Sequence, residues 1–391
     1  MDLKSSFIFQ NKKFLRFWIA QFFIRLNVWV FYVYFIWVIT VKNHSVFLGG
    51  MIPTFSLLGY LAILIPEGYI LDRWNRSTIM FLSSIMLIVL YGSLFFNQTL
   101  LWIYVIDILS SMLASITFDA FFTISKEIVD EKYFPKVSAF SQISMNISGI
   151  FGILIGGLSI LTSQFIFFYI LIIVSIIGSI FNLPYVSAKT KYEKYRYTDI
   201  LKFLKKFVFL LIILFIVNGL FISLDVYSSG LIYFILHSTS IYYTLFLGGY
   251  PVGGLLGAIF GNKIANKLED PWKISILIAL MGMMIIGISQ SRTVLLDPIF
   301  TFILGFLISL LMIPLMAFMM RVIPNEMIGR VNAFITLIVA GSSPLMGAIF
   351  SVMVAYFYIP NILLSVGLVF MILSTPTYFL FKKLFLSFNK K

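Results

Sequence analysis

Runs of about twenty or more apolar residues follow one another along this chain, and each is long enough to cross the ~30 Å hydrocarbon layer of a bilayer as a helix. Twelve are marked off, at residues 14–40, 46–71, 79–96, 100–124, 137–161 and 165–186, then 207–236, 240–260, 272–288, 294–320, 331–356 and 359–381. Outer-membrane barrel strands are ~10 residues long and alternate in polarity. These runs are longer and uniformly apolar, so the expectation is an all-α membrane protein with twelve transmembrane helices. The composition agrees. Of 391 residues, 61% are apolar and 11% charged, against about 25% charged in a soluble domain. A single soluble core stops growing near ~250–300 residues, which excludes a soluble enzyme; the apolar content excludes a disordered chain.

The charges that remain are unevenly placed. Of 28 Lys and Arg, 25 fall on the side that an even number of spans assigns to the termini; the opposite loops keep Lys42 and Arg292, and Arg25 lies inside the first span. Basic loops stay on the cytoplasmic side, so both termini are expected in the cytoplasm of a multi-pass protein of the cell membrane. The net charge of +13 is then read as attraction to anionic membrane lipids rather than to nucleic acid. Residues Met1 to Lys13 show no short apolar core with a cleavage site, and no cleaved signal peptide is expected. Cysteine is absent, and the two histidines, His44 and His237, sit far apart in short polar breaks. Neither disulfides nor a metal site is expected, and no cofactor.

The chain divides near its middle. Residues 187–206 hold a polar, basic stretch followed by an apolar–basic segment suited to lying on a membrane surface. They separate residues 1–186 from residues 207–391, each with six spans. The halves echo one another: Lys136-Val137-Ser138-Ala139-Phe140 recurs as Arg330-Val331-Asn332-Ala333-Phe334, and 331 − 137 gives a period of 194. The same step carries Asp72 to Asn266 and Arg73 to Lys267, both in a basic loop after a glycine-rich span. Two pseudo-repeated six-helix bundles are a transporter architecture, with the substrate site at the repeat interface.

Within the first repeat, Gly68-Tyr69-Ile70-Leu71-Asp72-Arg73-Trp74-Asn75-Arg76 resembles the loop 2–3 signature of the major facilitator superfamily, with Asn75 in place of its second glycine. Asparagine tolerates the left-handed conformation, so the turn is expected to survive through it. The resemblance implies a cytoplasmic gate in which the Asp72 carboxylate meets the helix N-terminus after Gly329-Arg330, a contact of ~0.3–1 kcal/mol. Arg73 and Arg76 would pair with acids or lipid phosphates. Asn266 lacks the charge, so the latch would be one-sided.

Two further stretches point to direction. Gly149-Ile150-Phe151-Gly152-Ile153-Leu154-Ile155-Gly156-Gly157 resembles the Gly-Pro-x-x-Gly-Gly motif of exporters in that superfamily, with its proline missing. Gly341-Ser342-Ser343-Pro344-Leu345-Met346-Gly347 keeps the proline. Small residues let helices approach and slide, and proline removes a backbone hydrogen bond. Ile323 to Ala333 and Phe14-Leu15-Arg16-Phe17-Trp18 are similar to the macrolide-efflux-like branch of drug exporters, which commonly has Gly-Asp where this chain has Asn27-Val28.

An ionisable group inside a bilayer costs at least ~2.5–3.5 kcal/mol, so each marks a function or a partner. Arg25 lies near the midplane of span one, Asp107 and Asp119 in span four, Asp225 in span seven and Asp297 in span ten. In the superfamily these spans line the central cavity. Asp107 and Asp225 are expected to couple protons, with Arg25 as their counter-charge or as an anion ligand. Asp119 and Asp297 read as wet residues near helix ends, and Glu67 as a gate partner. Together these features describe a monomeric secondary transporter working by alternating access, exchanging protons for an amphipathic small-molecule substrate on its way out. An importer of a sugar, metabolite or organic anion is the alternative. A nucleotide-binding Gly-x-x-x-x-Gly-Lys-Ser/Thr loop is absent, as is any tight His, Ser and acid constellation, so neither ATP drive nor an enzyme is expected.

Overall fold

The computed structural model describes residues 11–129, 134–183, 204–205, 207–264, 270–322 and 328–388. These residues are helical: α1 Lys12–Lys42, α2 Val46–Arg73, α3 Arg76–Ser93, α4 Leu100–Ile128, α5 Phe134–Ser159, α6 Gln164–Phe181, α7 Val208–Gly230, α8 Ser240–Ile264, α9 Pro271–Gln290, α10 Asp297–Val322, α11 Ile328–Met353 and α12 Ile359–Phe388. Among the described residues, nine helices carry an uninterrupted stretch long and apolar enough to cross a membrane. The described apolar parts of α5, α10 and α11 are shorter, so length and apolarity establish nine crossings rather than the twelve expected. Many large apolar side chains lie on the outside, Val89, Leu101, Phe209 and Ile372 among them. Such a surface is stable against lipid and not against water.

The chain forms two compact units, one of Met1–Val38 with Phe55–Tyr192, the other of Ile39–Thr54 with Glu193–Lys391. The core of the first gathers where α1 and α5 begin and α2 and α4 end: Phe14 and Phe17 meet Ile63, Leu71, Ala120, Phe121, Ile124 and Val137. In the second, α7 packs on α11, α8 on α10 and α9 on α12. This unit also takes in the α1–α2 turn, where Thr40 Oγ1 and Ser229 Oγ share a hydrogen bond of 2.8 Å.

The period read from sequence reappears as geometry. Ser240 opens α8 a full 194 residues after Val46 opens α2, and Ile328 opens α11 the same distance after Phe134 opens α5. A Cβ added at Gly59 would strike the carbonyl oxygen of Ile108; one added at Gly253 would strike that of Phe302. Both members of the second contact lie 194 residues after those of the first, so α2–α4 and α8–α10 are one packing solution used twice. Elsewhere the repeats solve the same problem in opposite ways. Gly152 of α5 lets α1 approach at Trp29, with the Leu26 carbonyl 2.9 Å from its virtual Cβ. Its counterpart in α11 is Met346, and there the glycine has moved to α7: at Gly219, the counterpart of Arg25, a Cβ would stand 2.6 Å from Met346 Cγ.

The two histidines stand at like places, 193 residues apart. His44 and His237 follow α1 and α7 and are the only described non-glycine residues with positive φ, at 49° and 47°. Ser45 N–H donates to Thr40 O (3.0 Å) and His44 N–H to Val41 O (3.3 Å), the pattern of a left-handed helix cap. The second turn follows a π-helical stretch, Leu231–Ile235. Histidine is among the residues that tolerate this conformation, so both have a backbone role.

Candidate functional site

Four residues of α4 stand at intervals of four: Asp107, Ser111, Ser115 and Asp119. That spacing keeps neighbours on one helix face, and the series extends over ~18 Å at 1.5 Å per residue. Along the same seam α2 contributes Ser56, Tyr60 and Glu67. Ser56 Oγ donates to Asp107 Oδ1 at 2.6 Å. Asp107 is buried, and its second oxygen, Oδ2, has no hydrogen-bond partner. The Ser111 hydroxyl is likewise buried and unpartnered. Further along, Ser115 Oγ donates to Glu67 Oε2 at 2.9 Å. Glu67, itself buried, stands within the field of Asp119, and the Tyr60 hydroxyl lies within the field of both acids.

Arg25 joins this inner group. Its guanidinium rests 4.1 Å from the centroid of Phe118 and donates to Ser141 O at 3.3 Å. The acid whose charge acts on it is Asp119. Asp119 stands three turns along α4 from Asp107. Glu67, read from sequence as a gate partner, is buried within the field of Asp119, which is half-buried rather than a wet helix-end residue. The i, i+4 series on α4 was the signal that could have found this.

Asp225 belongs to the second unit. It is partly buried on α7, and its charge acts on Tyr243 and Tyr250 of α8. Phe221, one turn earlier, faces Tyr250 at 6.4 Å. Asp297 is buried at the first position of α10.

The loop motif closes the end of α2. Gly68 and Asp72 fall in its last turns, and Arg330 in the first turn of α11. Arg73 is exposed and lies 3.9 Å over the Tyr69 ring. Arg76 is buried and its Nε donates to Leu71 O at 3.2 Å, which ties the turn together. Asn75 keeps the turn, though not by left-handed geometry. Its φ is −68°, and its side-chain oxygen accepts from Ser77 N and Thr78 N, so it serves as the N-cap of α3. Asn266 and Lys267 lie outside the described residues.

The glycine stretch of α5 faces α1. A Cβ at Gly149 would lie 3.5 Å from Trp29 Nε1 and one at Gly156 2.9 Å from Val30 O, while Gly157 is buried. In α11, a Cβ at Gly347 would stand 2.6 Å from Thr54 Oγ1, Pro344 sits inside the helix, and one at Gly341 would meet nothing within 4 Å. Asn27, one position before the place where the efflux-like branch carries an acid, donates to Leu171 O (2.9 Å) and Ser175 Oγ (2.5 Å), pinning α1 to α6.

Comparison with known proteins agrees with this arrangement. Residues 17–348 match the Major Facilitator Superfamily. Among solved structures the chain is similar to a single-site mutant of the nucleoside transporter NupG, at TM-score 0.75 and 14% identity, covering 96% of this chain and 100% of that one. A bacterial homolog of the human lysosomal transporter Spinster, in an inward-facing and unoccupied conformation, aligns at TM-score 0.71 and 14% identity over 98% and 99%. A POT family transporter in complex with a thioalcohol-conjugated peptide aligns at 0.75 and 14% over 95% and 96%. At these identities the likeness is one of fold. No curated protein matches the sequence.

Proposed function

We propose that this chain, which belongs to the Major Facilitator Superfamily and is a multi-pass membrane transporter of that type, exchanges protons for amphipathic organic compounds and exports them by alternating access. Glu67, buried and bonded to Ser115 with Asp119 and Arg25 nearby, carries the proposal. Two carboxyl groups that share a low-dielectric site favour holding a proton on one of them. Such a group inside a bundle is costly unless it is used. Asp107 extends the acidic chemistry along the same helix. Asp225, set among Tyr243, Tyr250 and Phe221, is assigned to the cationic end of the cargo, which carboxylate and aromatic faces together attract.

The glycine-mediated approach of α5 to α1 and the efflux-like segment from Ile323 to Ala333 support export. Import of an organic anion would use Arg25 as the anion ligand, and its place beside Asp119 argues against that use. The protein is assigned to the cell membrane as a monomer, with basic loops and both termini in the cytoplasm. Residues 1–186 and 207–391 serve as the two repeats, joined by residues 187–206. The test is transport in proteoliposomes under an imposed pH gradient, with ethidium set against sugars and organic anions. A proton crossing 100 mV releases ~2.3 kcal/mol, enough for a gradient of a few tens-fold. Ethidium extrusion that collapses with the gradient is expected. Anion or sugar uptake with inward protons, or dye movement indifferent to the gradient, refutes the reading.

A further inference from the structure

The α2–α4 seam has a polar lining that its repeat partner lacks. Stepping 194 residues on, Asp107, Ser111, Ser115 and Asp119 become Thr301, Gly305, Ser309 and Ile313. On the facing helix Ser56, Tyr60 and Glu67 become Tyr250, Gly254 and Gly261. The second seam is closed by backbone. A Cβ at Gly305 would strike the Tyr250 carbonyl, and one at Gly257 would come within 2.5 Å of Phe306 O. Its hydroxyls are satisfied locally, Thr301 Oγ1 donating to Phe246 O (2.7 Å) and Ser309 Oγ to Gly254 O (2.8 Å). In the first seam the same backbone architecture leaves Asp107 Oδ2 and Ser111 Oγ buried with no partner.

Unsatisfied buried oxygens cost ~1–3 kcal/mol each. Two of them one helical turn apart, between two carboxyl stations, are poorly explained as packing. We propose that the α2–α4 seam of the first unit is a proton relay that connects Asp107 with the Glu67–Asp119 pair through the hydroxyls of Ser111, Tyr60 and Ser115. It rests on the proton coupling proposed above and names the route by which the proton reaches the inner pair.

Each four-residue step along α4 is ~6 Å, about two hydrogen bonds of ~2.8 Å. One water between successive groups therefore completes the chain, with polar partners on both sides. The transfer balances: the Asp107 carboxyl releases a proton, and every hydroxyl or water accepts one proton while passing on another. One carboxylate of the pair receives it. Serine ends as serine, and the negative charge moves from the inner pair to Asp107. Arg25, facing Asp119 from α1, stabilises the inner pair when it is deprotonated and so favours release. Tyr104 of α4 and Tyr91 of α3 are the other titratable groups within the field of Asp107; neither lies between the two stations in the α4 series.

The relay can be read without a transported substrate. Protein in lipid nanodiscs, at a pH low enough to protonate Asp107, is moved from H2O to D2O and followed by infrared difference spectroscopy. The carboxyl band of Asp107 is identified by its loss in Asp107→Asn. Ser111→Ala should slow its conversion to the deuterated form about a hundredfold or more, the lower range of a proton-transfer contribution. Ser111→Thr, which keeps a hydroxyl, should restore it, and Ser309→Ala should leave it unchanged. Exchange at the wild-type rate in Ser111→Ala, or failure of Ser111→Thr to differ from it, overturns the relay. In ethidium-loaded proteoliposomes containing pyranine, Ser111→Ala should slow proton entry without altering half-saturation by ethidium. Loss of proton–ethidium exchange in the wild type would reject the proposed function, while the infrared result would still decide the relay.

Discussion

Replacing Gly253 by alanine tests the packing on which the second unit depends. The new Cβ would stand 2.7 Å from the carbonyl carbon of Phe302 and 3.0 Å from Phe306 N, with the Phe302 oxygen closer still. Ordinary contact begins near 3.4 Å, so the carbon alone leaves a shortfall of 0.7 Å (3.4 − 2.7). The obstructing atoms are backbone, and no rotamer change relieves them. The helices must separate, and overpacking of this kind costs ~1–3 kcal/mol. Opposing this, alanine gains up to ~1 kcal/mol of helix propensity over glycine. The net expectation is a loss of about 1–2 kcal/mol. Gly341→Ala is the counter-experiment: nothing lies within 4 Å, so only the propensity gain remains. Thermal unfolding of the purified protein, followed by size-exclusion chromatography after heating, should rank Gly253→Ala below wild type and Gly341→Ala at or above it. Equal or higher stability in Gly253→Ala would refute the claim that backbone contact sets the α8–α10 distance.

Two other substitutions test the α2–α3 turn. Asn75→Ala removes the acceptor for Ser77 N and Thr78 N and should cost ~1 kcal/mol, whereas Asn75→Gly should cost only a few tenths; the order of the two melting temperatures checks this, and the reverse order would restore a left-handed role for the position. Asp72→Asn should abolish most ethidium transport while leaving expression and melting temperature intact, and normal transport would remove the residue from the gate.

Much of this organisation was legible before any fold was available, because it depends on the solvent and not on contacts. The length of the apolar runs marked helices that cross a membrane, and the repetition of Val137 and Val331 gave the period that relates Gly59 to Gly253. The charged residues were harder. Arg25 was visible as costly, but its partner was not: Asp107 and Asp119 share one face of α4, and nothing in their spacing says which of the two α1 passes. Glu67 was read with the loop motif beside it, although α2 turns it toward Ser115. Asn75 kept its turn for a reason that only φ and two hydrogen-bond distances disclose.

A bilayer forces every apolar run to satisfy its own backbone, so helical character, the repeat and the places where charge is expensive follow from the order of residues alone. Which costly groups meet depends on helix rotation and separation, and these are set by side-chain volumes arriving from distant parts of the chain. Glycine at 253 and 305 brings α8 and α10 together until the hydroxyls of Thr301 and Ser309 are met by facing backbone carbonyls. The first repeat keeps Gly59 but has Ser111 where the second has Gly305, and the seam retains carboxyls and hydroxyls. Tertiary packing, by closing one seam and leaving the other polar, decided that Asp107 and Glu67 lie among hydroxyls.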